Sequence, residues 1–117
     1  GLLTDKYLSG VPAESRARLE GSFLKDFLND ANLGRVRALS EIARRRGQTL
    51  AQMAIAWALR DKRVTSALIG ARNVQQLDNS LDALKNVTFS EAELKEIDKY
   101  AVDSGIDLWK NARENMD

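Results

Sequence analysis

The chain has 117 residues, 44% of them hydrophobic, and its 18 basic and 17 acidic side chains leave a net charge of +1. That suffices for one modest core, and nothing argues for two domains or for disorder. The absence of cysteine and histidine excludes disulfides, the usual zinc sites and His-based activation of a nucleophile within the chain.

No apolar run approaches the roughly 20 residues of a membrane span, and the start, GLLTDKY, lacks the basic-then-apolar order of a signal peptide. The expectation is a soluble, cytoplasmic protein that binds neither membrane nor nucleic acid. A first residue of Gly rather than Met implies a processed, cleaved or excerpted chain.

Residues 1–32, with Gly1, Gly10, Pro12 and Gly21 among polar residues, read as a long loop whose cations are Lys6, Arg16 and Arg18. Loops longer than about 12–15 residues are usually functional or disordered. Leu33, Val36, Leu39, Ile42 and Ala43 then recur at helical spacing, predicting an amphipathic helix over 33–46 with Gly47 as its stop. Arg44, Arg45 and Arg46 fall in its last turn, where cations suit the helix dipole, and near-neutral net charge argues against a nucleic-acid footprint.

Thr49 and Gln52 form a capping box opening a second helix, so that 33–60 holds two helices. From Leu50 to Leu59 nearly every side chain is apolar. A helix apolar all round must be buried on most sides, and this one wants more protein around it than the chain supplies. Val64 to Ile69 reads as the one clear strand. A strand needs partners for its N–H and C=O groups, and an apolar strand between helices belongs to a parallel sheet. The chain is therefore expected to be the last part of a larger α/β domain, or to form a homo-oligomer through that strand.

The most informative stretch is Ser66–Ser80, SALIGARNVQQLDNS, in which an apolar run stops at Gly70 and a helix starts near Asn73. The first amides of a helix lack intrahelical acceptors, and the dipole makes that end an anion site, to which Arg72 adds a full charge. Gln76, Asn79 and Ser80 share one face just behind it. An equally local reading makes Asn73 an N-cap, Gln76 its capping-box partner and Arg72 a solvated cation. Val74, Leu77, Leu81 and Leu84 are expected to line the buried face of a helix over 73–85. Phe89, Ser90 and Glu93 open a last helix over 90–104, with Leu94, Ile97 and Ala101 inward, before a tail over 105–117 that carries Leu108 and Trp109.

GARNVQQLDNSLDAL resembles the segment after the eighth strand of the aldo-keto reductases, and GLLTDKY resembles their stretch after the seventh, in the same order and at about the same spacing. GLLTDKYLSGVP points to the branch related to potassium-channel β subunits. The resemblance implies that 1–117 is the C-terminal part of one (β/α)8 TIM barrel, mostly helical, with 1–32 covering the cofactor and 64–69 as the last barrel strand. It also implies NADP(H) as cofactor and a small-molecule carbonyl as substrate, such as glyceraldehyde 3-phosphate or methylglyoxal.

Carried over residue by residue, the resemblance puts Lys6 on the pyrophosphate, Arg16 over the cofactor and Gly70 where backbone approaches closely. Arg72 falls on the 2′-phosphate, and Gln76 with Asn79 or Ser80 on the adenosine end. Asp5 stands where relatives commonly have Gly, Glu14 where some have Tyr, and Asn79-Ser80 where many have Glu then Asn. The family's catalytic aspartate, tyrosine, lysine and histidine come from earlier strands. Tyr7 and Tyr100 lie outside that motif, so no catalytic residue is assigned. Two other readings remain at this point: an NADP(H)-sensing regulatory subunit of the channel-β type, and a free-standing helical module without a ligand.

Overall fold

A computed structural model describes residues 2–15, 18, 28–105 and 113. Four α-helices are set among them: α1 Asp30–Arg45, α2 Leu50–Leu59, α3 Val74–Leu81 and α4 Glu91–Asp98, with short 3₁₀ turns at Asp5–Tyr7 and Asp82–Lys85. Local chemistry fixes their ends. Asn29 caps α1, its side-chain oxygen accepting from the Asn32 N–H at 2.9 Å. At the other end Gly47 takes a left-handed φ of 70°. Its N–H reaches the Arg44 carbonyl while the Gln48 N–H reaches that of Ala43, the paired bonds that close a helix through a glycine.

Thr49 and Gln52 cap α2 reciprocally, and Ser90 with Glu93 does the same for α4. The core lies where these helices meet. Val36, Leu39, Ile42 and Ala43 of α1 pack with Leu50 and Met53 of α2 and Ile97 of α4, flanked by Leu2, Leu8, Trp57, Phe89 and Tyr100. Truncating a buried aliphatic residue such as Ile42 costs about 2–5 kcal/mol. The Arg46 side chain, 2% exposed, bonds Glu93 and stacks 3.7 Å from the centre of the Phe89 ring, tying the end of α1 to α4. An exposed Arg45–Glu96 pair reinforces the same junction.

The sequence-based expectation departs from the structure in three places. Residues 64–70 carry no regular structure, and no strand occurs among the described residues. A strand exists only through a neighbour's N–H and C=O groups, and none of the described residues supplies them. Secondly, Val74, Leu77, Leu81 and Leu84 do not line a buried face. All four are exposed, Val74 by 73%, and Leu68 stands fully in solvent, whereas Ala83 is the buried residue of this segment. The apolar stripe is real, but nothing among the described residues covers it.

Thirdly, the last helix stops at Asp98, and Ala101 is exposed. The tail residues Leu108 and Trp109 lie outside the described residues, as does Arg16. Among the described residues no helix is long and apolar enough to cross a membrane.

Candidate functional site

The 3₁₀ turn, the start of α2 and the Ile69–Ser80 segment surround one cleft of about 1100 Å³. That is on the scale of a large-ligand pocket. Its lining is Thr4, Asp5, Lys6, Tyr7 and Glu14 from the first segment, Thr49, Leu50, Ala51 and Ile55 from the start of α2, and Ile69, Gly70, Arg72, Gln76, Asn79 and Ser80 from the third. Lys6, Gly70, Arg72, Gln76, Asn79 and Ser80 thus share a single concavity, and Arg16 lies outside the described residues.

The two cations are left open to a ligand. Among the described residues Lys6 Nζ has no carboxylate partner, and its contact is the Tyr7 ring, 5.4 Å away at the centroid. The Arg72 guanidinium likewise has no partner there, its backbone N–H alone being engaged. Arg44, Arg45, Arg46 and Arg63, by contrast, are all held by carboxylates.

At the start of α3 the Asn73 N-cap forms, but the expected capping box with Gln76 does not. Asn73 Oδ1 accepts from the Gln76 N–H at 2.8 Å, and Gln76 Oε1 accepts from the Arg72 N–H at 2.9 Å rather than from that of Asn73. One amide oxygen of Gln76 is therefore spent on the turn, while its NH₂ group remains for a ligand. The Val74 and Gln75 N–H groups lie in the first turn, where the helix itself offers no acceptor, and have none among the described residues. Gly70 has open space where a Cβ would stand and no positive φ, so a small side chain there would meet nothing and leave the backbone unstrained.

Gln52 sets the position of α3. Buried at the start of α2, its oxygen accepts from the Thr49 N–H and its NH₂ donates to the Asn79 carbonyl, each at 2.9 Å. Sequence reasoning found the capping box but not this second bond, whose partner lies on another helix. It also missed that Asp5 and Glu14 place carboxylates in the same cleft as Lys6 and Arg72. Their signal was visible only as acidic residues where relatives carry other types. Tyr7 is no free phenol: its hydroxyl is buried and bonded to Ser15 Oγ at 2.9 Å. Among the described residues no cluster of side chains could hold a metal ion.

The Aldo/keto reductase family's sequence model matches residues 1–102, and the chain belongs to that family of (β/α)8 barrels. Among curated proteins it is 47% identical over 114 residues to the L-glyceraldehyde 3-phosphate reductase of Escherichia coli strain K12 and 46% identical to that of E. coli O157:H7. Each alignment takes in 94% of this chain but 33% of the relative. The chain therefore spans about a third of the length of the curated relatives it matches.

Proposed function

We propose that the polypeptide carrying this chain is an NADP(H)-dependent reductase of aldehydes and ketones, and that this chain clasps the phosphates and the adenosine of the cofactor. The reading rests on one observation above the rest: Lys6 and Arg72, from distant parts of the sequence and both without a counter-ion among the described residues, face the same cleft. In a (β/α)8 barrel the loops after strands seven and eight form the usual phosphate site, and these are the segments that carry the two cations in the family resemblance.

The donor set fits a dinucleotide phosphate. Arg72 offers a planar fork that can bond two oxygens of a 2′-phosphate, and Lys6 offers a point charge for the pyrophosphate. The free Val74 and Gln75 amides add neutral donors beside Arg72. Asn79, Ser80 and the Gln76 NH₂ group line the adjoining face as hydrogen-bonders for the adenosine. The bound cofactor supplies the hydride, and the protein orients it. No residue here is assigned to donate the proton to the carbonyl oxygen. The names of the E. coli relatives make a phosphorylated three-carbon aldehyde the first substrate to test.

The test is Arg72→Ala in the intact protein, titrated with NADP⁺ and NAD⁺. Loss of a bidentate charge-assisted contact, about 1.5–3 kcal/mol, weakens NADP⁺ roughly tenfold to a hundredfold and leaves NAD⁺ within a few-fold. An unchanged NADP⁺ affinity would remove Arg72 from the site and leave the preference for NADP without support.

A further inference from the structure

We infer that Ser40 is a positioning residue that holds the Asp5 carboxylate away from Lys6 and so keeps the lysine's charge available to the anion in the cleft. The inference deepens the cofactor reading above and rests on it. Its starting point is a contradiction in the cleft's electrostatics: Asp5 is adjacent to Lys6 in sequence and lines the same concavity. A carboxylate within a few ångströms of an ammonium pairs with it. It also repels an incoming phosphate, so an unrestrained Asp5 would work against the contact assigned to Lys6.

The structure resolves this through α1. Ser40 Oγ donates to Asp5 Oδ1 at 2.9 Å, a bond between segments far apart in sequence, and Asp5 makes no ion pair with Lys6. The backbone of the turn is poorly able to fix the geometry by itself. It spans only Asp5–Tyr7, and its closing bond, Leu8 N–H to the Asp5 carbonyl, is 3.2 Å long, as is usual for the strained bonding of a short 3₁₀ turn. Side chains fix it instead, with Asp5 bound to Ser40 on one flank and Tyr7 to Ser15 on the other. Lys6 is left between them with its ammonium against the Tyr7 ring.

The experiment measures Kd for NADP⁺ and NAD⁺ at low ionic strength in the intact protein and in Ser40→Ala, Asp5→Asn with Ser40→Ala, and Lys6→Ala. Ser40→Ala frees Asp5 to pair with Lys6 and is expected to weaken both cofactors by the same factor, about threefold to tenfold, since the pyrophosphate is common to both. Asp5→Asn in the Ser40→Ala background restores binding, which a merely structural loss at Ser40 would not allow. Lys6→Ala separates the two layers of the argument. If it leaves both affinities unchanged, the assignment of Lys6 fails and the inference fails with it. If it weakens both while Ser40→Ala does not, or if Asp5→Asn brings no recovery, the role of Ser40 alone is overturned.

Discussion

Replacing Arg46 with alanine removes one buried guanidinium that serves the Asn86 and Thr88 carbonyls, Glu93 Oε2 and Gln48 Oε1, at 2.9–3.1 Å. Breaking a buried ion pair costs about 3–5 kcal/mol because a charge is left unpaired. Glu93 is spared part of this. Its side chain is 32% exposed and its Oε2 also accepts from the Ser90 N–H, so water screens part of the loss. The Asn86 carbonyl likewise keeps the Gln48 NH₂ donor at 3.0 Å. Thr88 loses the guanidinium outright, and the stack on Phe89, about 0.5–2 kcal/mol, disappears. The expected destabilisation is about 3 kcal/mol.

Urea unfolding of the intact protein reads this directly, as a lower midpoint with an unchanged slope. Arg46→Lys recovers little, because an ammonium cannot fill the planar fork these acceptors define. A loss below about 1 kcal/mol would refute the reasoning, since it would mean that the junction of α1 with α4 does not depend on this side chain.

Gln52→Leu removes both the α2 capping bond and the donor to the Asn79 carbonyl. It should cost about 1–3 kcal/mol in the same unfolding assay, and an unperturbed midpoint would contradict the bridge. The Arg63 side chain and, secondarily, its backbone N–H hold the Asp61 carboxyl down to about 2, against an ordinary value of 3.8. With the folded value below the unfolded one, the group's contribution to stability is present above 3.8 and is lost as pH falls towards 2. An NMR titration of the Asp61 carboxyl should show that midpoint, moving up in Arg63→Ala; a wild-type midpoint near the ordinary value would exclude the interaction. The isolated 117-residue chain, with Leu68, Val74, Leu81 and Leu84 exposed, should self-associate and bind apolar dyes. A monomer with a well-dispersed spectrum would instead favour a free-standing helical module.

What could be read from the sequence divides by range. Capping boxes at Thr49–Gln52 and Ser90–Glu93, the glycine stop at Gly47 and the Val36–Leu39–Ile42 stripe are written within a few residues, and the structure forms each of them. The start of α1 was misplaced because the apolar pattern begins at Leu33, whereas the helix begins at Asp30 behind its Asn29 cap. Burial of the α3 stripe was misjudged for a different reason. Periodicity says that Val74, Leu77 and Leu81 share a face, not whether the chain supplies anything to cover it. The same limit applies to Val64–Ile69, since a strand is a property of a pair.

Long-range partners were invisible. Arg46 looked like one of three cations suited to a helix end, and nothing near it in sequence announced Phe89 or Glu93. The candidate site was legible only through family resemblance, because no local rule brings Lys6 and Arg72 to one cleft. Ser40, an unremarked hydroxyl on a helix, could not have been linked to Asp5 without coordinates.

The central claim, that Lys6 and Arg72 act on one dinucleotide phosphate, is tested most directly by a crystal structure of the intact protein with NADP⁺. The account predicts the pyrophosphate within hydrogen-bond distance of Lys6 Nζ and the 2′-phosphate on the Arg72 guanidinium, with the adenosine along the Gln76, Asn79 and Ser80 face. A cofactor bound elsewhere, or one whose phosphates leave both cations in solvent, would contradict it.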